Sequence, residues 1–290
     1  MPNFLSDFVK LVKLRLSFLV VFSASISFLI GSKEQGSINW ANWAILTLGG
    51  FLVTAAANGF NEIIEKDLDK LMKRTADRPI PAGRMTTGQA LVLSLIMAIA
   101  GTLILVKLNF LTSLLSVFSI FLYAFIYTPM KRKSPIAVFI GAIPGALPPL
   151  IGYFAAFQHP QISWIPVILF LIQFVWQFPH FWAIAWVLDE DYKKAGFRLL
   201  PTTKPDRLSA VVILLSTIVL IPVSLMPTFY HFGGYGLAII SLIGGLYFLY
   251  TAIQLYKKLD IAAARSMMYV SFVYLPVVQL SLLFDFTSLL

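Results

Sequence analysis

Asn61, Glu65 and Asp69 recur every four residues. On a helix they share one face, each about 6 Å beyond the last. An amide oxygen and two carboxylates stacked in this way suit a hard cation such as Mg2+, which keeps several waters and bridges to substrate phosphates. Glu62 lies in the same stretch, and Asp67 falls on the opposite side of such a helix. Arg74, Arg78 and Arg84 follow closely, and guanidinium groups complement a pyrophosphate. A plainer reading is open for the same residues: a salt-bridged helix end in which Lys66, Lys70 and Lys73 neutralise the acids.

Four further groups could carry chemistry. Asp189, Glu190 and Asp191, followed by Tyr192, Lys193 and Lys194, form the second dense acidic group; it could grip one substrate together with the first, or be an ordinary polar helix end. Tyr127 and Lys131 are four apart, with Arg132 next. They face one way if the chain stays helical through Pro129, and Lys131 then suits phosphate oxygens, although Tyr and Lys also serve as interfacial anchors. His180, in Gln177-Phe-Pro179-His180-Phe-Trp182, sits in an apolar, aromatic run. A histidine there can ligate haem, carry a proton or simply hydrogen-bond within a bundle. The block 141–152, rich in Gly and Pro, would let helices approach closely or shape a substrate chamber.

The elements that hold these residues are membrane helices. The 290-residue chain is 59% hydrophobic and 12% charged, more apolar surface than a soluble fold of this size hides. Apolar runs of about 20 residues recur, the length of a spanning helix. They are continuous rather than alternating, which argues against a β-barrel. The expected fold is all-α, nine transmembrane helices around a central cavity, at roughly 14–32, 43–64, 89–107, 110–129, 136–157, 162–188, 209–227, 234–256 and 267–286. Pro179 predicts a kink or a turn in the sixth. The first run is read as a retained span rather than a cleaved signal, and residues 1–290 as a single domain whose loops at about 65–88 and 189–208 carry the site.

Twenty of the 22 Lys and Arg fall at the N-terminus or in the loops after the even-numbered spans, and only Lys33 and Lys107 on the other side. The positive-inside rule then predicts a cytoplasmic N-terminus, an outer C-terminus and a cytoplasmic site. The net charge of +9 is accounted for by orientation and needs no nucleic acid. With no cysteine, disulfides and thiolate metal sites are excluded.

In combination these pieces resemble the UbiA-type intramembrane prenyltransferases. The family's N-x-x-x-D-x-x-x-D motif falls on Asn61, Glu65 and Asp69, with Glu65 one methylene longer than the usual Asp, and its Y-x-x-x-K motif on Tyr127 and Lys131. The blocks Asp67-Leu-Asp69-Lys70-Leu-Met72-Lys-Arg74-Thr75 with Arg78-Pro79, Gly145-Ala-Leu-Pro148-Pro149-Leu-Ile-Gly152, Pro179-His180-Phe-Trp182 and Asp191-Tyr192-Lys193-Lys194-Ala-Gly196 most resemble the branch of that family that modifies haem. The resemblance implies transfer of a farnesyl group from farnesyl diphosphate to a vinyl group of haem B. It implies Mg2+ held by Asn61, Glu65, Asp69 and Asp191, diphosphate held by Arg74, Arg78, Lys131, Arg132, Lys193 and Lys194, and haem met by His180. Catalysis is expected from Asn61, Glu65, Asp69, Lys131 and Asp191. The family's second motif has spaced aspartates; here the acids are consecutive and only Asp191 matches, which leaves Lys193 and Lys194 as phosphate contacts in place of a full second metal site. The expected location is a bacterial cytoplasmic (inner) membrane, with a haem A synthase or terminal oxidase assembly receiving the product. Two other readings stay open: a prenyltransferase of the same fold acting on a quinone precursor or chlorin, and a transporter. Transporters place their ionisable residues near the midplane, whereas here the acids sit at the helix ends.

Overall fold

A computed structural model of the chain describes residues 4–287. It is all helix, with no strand among the described residues beyond one isolated bridge between Gly233 and Phe286. A short α1 (Phe4–Leu11) precedes the membrane region. Among the described residues nine helices are long and apolar enough to cross a bilayer: α2 (Leu14–Glu34), α3 (Trp40–Asp69), α4 (Thr87–Leu105), α5 (Phe110–Met130), α6 (Ala137–Ala155), α7 (Trp164–Val187), α9 (Arg207–Phe229), α10 (Tyr235–Lys258) and α11 (Ile261–Phe284). The surface helix α8 (Asp189–Lys194) follows α7. The protein is therefore a multi-pass membrane protein, and every expected span is present. The two largest departures from the expected bounds are the end of α3 and the start of α11. α3 continues to Asp69, carrying the acidic stripe on helix, and α11 begins at Ile261, where Asp260 caps it by accepting from the Ala263 N–H at 2.7 Å. Pro179 lies within α7, which runs on to Val187, so of the kink or turn expected there the turn does not form.

α6 is the most enclosed span, packed on α2, α5 and α7. Its small residues are the reason. A Cβ at Gly152 would collide with the backbone carbonyl of Ala24 on α2, one at Gly145 with the Gln177 amide on α7, and one at Gly141 with the Tyr127 ring on α5 at 2.7 Å. The Gly/Pro block thus serves close helix approach. It has a polar cost that α7 meets. Pro149 has no N–H for the carbonyl of Gly145, and the Gln173 side chain donates to that carbonyl instead at 2.7 Å. Gln173 also joins Ser23 of α2 and Gln279 of α11 in a buried triad, with bonds of 2.6–2.9 Å, tying three spans where lipid offers no partner.

Candidate active site

The acidic stripe is buried at the end of α3, with Asn61, Glu62, Glu65 and Asp69 all 3% exposed or less. Charges this deep persist only when paired, and each of the two expected acids has a cation. Lys131 meets Glu65 Oε1 at 2.9 Å, and Arg78 meets Asp69 Oδ2 at 2.5 Å. The Asn61 amide donates to Glu65 Oε2 at 2.9 Å and to Thr128 Oγ1 at 3.0 Å. Its oxygen accepts from Lys13 Nζ at 2.7 Å. Asp67 is exposed and, among the described residues, pairs with Lys70, as its place on the opposite face predicts.

Each cation is delivered by a distinct local structure. The stretch from Tyr127 to Lys131 stays helical through Pro129, with the Lys131 N–H donating to the Tyr127 carbonyl at 3.2 Å. Residues Phe121–Tyr127 widen into a π-helix just before it, a form that often marks functional sites. The Lys131 ammonium sits 4.8 Å from the Tyr127 ring centre and 5.5 Å from that of Phe197. Burial opposes its charge, but the Glu65 carboxylate and the Tyr123 hydroxyl together hold its pKa above the usual lysine value. Arg78 comes from the long loop after α3. That loop folds over a small apolar core of Leu11, Ile80, Met85 and Ala90. Arg84 lashes it to α1 through Asp7 at 2.8 Å, and Lys10 holds Asp77 at 2.6 Å. Glu62 pins the same loop by accepting from the Ile80 N–H at 3.2 Å.

Lys13 was legible in the sequence only as an orientation charge. It breaks the chain between α1 and α2 in the left-handed region, at φ 47°, and a half-exposed stem carries its ammonium inward. Burial, then repulsion from Arg78 and Lys131, pushes its pKa well below the ordinary lysine value. Glu62 and Thr128 were likewise not expected in the site. Thr128 stands between Tyr127 and Lys131, so the helical motif itself was the signal that it could reach Asn61.

The second acidic group does something different. Asp191 accepts from Lys194 Nζ at 2.9 Å and from the Arg74 N–H at 3.3 Å. The Lys194 bond, with help from the backbone N–H groups of Arg74 and Lys73, holds its pKa below the ordinary carboxylate range. Asp191 therefore docks the two long loops against each other. Lys193 pairs with Asp189 at 2.5 Å. Arg74, Arg132, Lys193 and Lys194 are all exposed at the rim, while Asn61, Glu65, Asp69, Arg78 and Lys131 converge. His180 stands apart, about 10 Å along α7 from Val187, against Ser271 of α11.

Among the described residues no three Asp, Glu, His or Cys side chains gather as a ready metal cage. The donor set still fits Mg2+, which takes one or two carboxylates and completes its shell from phosphate and water. Asp69 Oδ1 and Glu62 Oε2 are both fully buried and have no hydrogen-bond partner among the described residues. A bare carboxylate oxygen on the same helix face as Asn61 and Glu65 is the kind of orphan an incoming cation satisfies.

Residues 20–275 match the model of the UbiA prenyltransferase family. The chain belongs to that family. Among its relatives, the protoheme IX farnesyltransferase of Cytophaga hutchinsonii is 46% identical over 280 residues, covering 96% of each chain. The protoheme IX farnesyltransferase of Christiangramia forsetii is 43% identical, covering 98% of this chain and 94% of that one. The same fold is seen in a solved digeranylgeranylglyceryl phosphate synthase, with a TM-score of 0.80 at 20% identity over 97% of this chain and 98% of the other. A UbiA homologue from Archaeoglobus fulgidus bound to GPP and Mg2+ gives a TM-score of 0.70 at 11% identity over 95% and 99%. Membership of the UbiA family makes the chain a prenyltransferase and accounts for a site that concentrates buried cations at one end of an apolar bundle.

Proposed function

We propose that this chain transfers the farnesyl group of farnesyl diphosphate to a vinyl group of haem B, giving hydroxyethylfarnesyl haem and diphosphate. The observation that carries the diphosphate half is the converging set of Lys13, Arg78 and Lys131 around Asn61, Glu65 and Asp69. The haem half is supported by near full-length relatives named as protoheme IX farnesyltransferases. The site faces the cytoplasm across a bacterial inner membrane, as the excess of Lys and Arg at this end implies.

Lys131, Arg78 and Lys13 bind the phosphate oxygens of the leaving group, with Arg74, Arg132, Lys193 and Lys194 recruiting it at the rim. Asn61, Glu65 and Asp69, joined by Asp191 if the two loops shift, hold Mg2+, which when bound neutralises charge on the departing diphosphate. The C–O bond of the allylic ester breaks and its electron pair leaves with the diphosphate. The vinyl group of haem attacks the farnesyl carbon, and the cation left beside the porphyrin ring takes water and loses a proton. Aromatic walls keep water from the farnesyl cation until that attack. His180 meets the haem iron. The product then passes to a haem A synthase or terminal oxidase assembly.

The test is conversion of haem B by the purified protein with farnesyl diphosphate and Mg2+, read by mass spectrometry. Haem O formation with no product from 4-hydroxybenzoate is the expected result. Prenylation of 4-hydroxybenzoate with haem B untouched would overturn the reading, and substrate movement without diphosphate release would make the protein a transporter.

A further inference from the structure

His180 makes one side-chain hydrogen bond, between Nδ1 and Ser271 Oγ at 2.7 Å. Which atom supplies the proton is settled by the serine. Its Oγ also lies 2.6 Å from the Met268 carbonyl, one turn back on α11. A carbonyl cannot donate, and two bare oxygens repel at that distance, so the hydroxyl proton lies between them. The serine has no second proton to give. His180 must therefore be the donor, as the Nδ1–H tautomer, and its lone pair sits on Nε2. No hydrogen-bond partner reaches Nε2 among the described residues.

The ring is also fixed in rotation. Trp176 stacks on it with centroids 4.2 Å apart and planes 17° from parallel, and Phe272 meets it edge-on at 5.1 Å. The Trp176 indole donates to the Ser271 carbonyl at 3.0 Å, so tryptophan, histidine and serine form one block across the α7–α11 seam. We propose that Ser271 is the positioning residue for haem: by accepting the Nδ1 proton it fixes the His180 tautomer and presents Nε2 to the haem iron. This rests on the reading that haem B is the acceptor and His180 its ligand. A ligating histidine whose second nitrogen donates a hydrogen bond is oriented and made more basic, and losing that partner typically weakens binding 10–100-fold.

The experiment is ferrous haem B binding to the purified protein, followed by affinity and by the iron–imidazole stretch in resonance Raman spectra. Wild type should show that band, and His180→Ala should lose it. Ser271→Ala should keep it, shifted to lower frequency, with affinity down at least about tenfold. Ser271→Thr keeps the hydroxyl and should restore both. If His180→Ala loses the band while Ser271→Ala matches wild type in frequency and affinity, the positioning role is overturned and ligation stands. If His180→Ala leaves the band in place, ligation itself is wrong and the role of Ser271 falls with it.

Discussion

Asp69→Asn separates the chemistry of the site from its stability. Asp69 is fully buried, with Oδ2 held by Arg78 at 2.5 Å and Oδ1 without a partner. The substitution keeps the shape and one oxygen, so Arg78 retains an acceptor. A hydrogen bond to a charged group contributes about 1.5–3 kcal/mol against about 1 kcal/mol for a neutral one, so the variant forfeits roughly 1–2 kcal/mol there. Against this, a buried, charged, partnerless oxygen gives way to a neutral group, which recovers part of a penalty of about 1–3 kcal/mol. Folded stability should move by less than about 2 kcal/mol. Turnover should fall far more. The variant has lost one of two carboxylates from the donor set, and charge neutralisation by a bound metal is worth several kcal/mol. A loss of about 4 kcal/mol is roughly a thousandfold in rate. The assay is haem O formation at saturating farnesyl diphosphate across a Mg2+ titration, beside thermal unfolding in detergent. Turnover within tenfold of wild type would refute the donor role; a large unfolding shift would make Asp69 structural.

Lys13→Met removes a buried ammonium whose acceptor is a neutral amide, so stability should hold or rise while the KM for farnesyl diphosphate increases about tenfold, the effect of roughly 1.4 kcal/mol; an unchanged KM would exclude a phosphate contact. Gly152→Ala drives a methyl into the Ala24 carbonyl, and overpacking of this kind should destabilise by about 1–3 kcal/mol, read as a lowered midpoint in detergent unfolding. Asp206 caps α9 by accepting from the Ser209 N–H at 2.8 Å, so Asp206→Ala should cost about 1 kcal/mol. That bond, more than any other interaction, holds the folded carboxyl below the usual aspartate range. The stabilisation is thus full above the unfolded value and lost as pH falls from there through the folded pKa. Unfolding curves of wild type and variant should converge in strong acid, and a gap that persists there would count against the cap.

Periodicity and charge made the spans legible because a bilayer imposes one length and one polarity on every helix. The stripe of Asn61, Glu65 and Asp69 was legible for the same reason: helical spacing is local, and α3 extends far enough to carry it. What could not be read was anything set by the loop after α3 or by the break before α2. Lys13 reaches Asn61 only because the chain turns left-handed at that residue, and nothing in its type announces a positive φ. Arg78 was expected on phosphate rather than on Asp69, since its placement depends on Ile80 and Met85 packing under α1. Asp191 looked like a ligand by motif, yet its oxygens face Lys194 and the backbone of residue 74, a partner that sequence cannot nominate.

These pairings bear on how one buried cluster can be stable and still receive a charged substrate. Glu65 and Asp69 are paired with Lys131 and Arg78, and Glu62 and Lys13 bring one further group of each type, so three carboxylates stand with three basic side chains. A divalent cation alone would leave excess positive charge in a medium that penalises it, and a diphosphate alone would leave excess negative charge. The two together come closest to preserving neutrality. If the proposed site takes Mg2+ and a diphosphate, Arg78 and Lys131 would bind phosphate oxygens in place of carboxylate oxygens, and Glu65 and Asp69 would be free to hold the metal. On the proposed reading the ion pairs that stabilise this cluster would supply both halves of the binding site, and Lys13, held by an amide, has the least to give up in making the exchange.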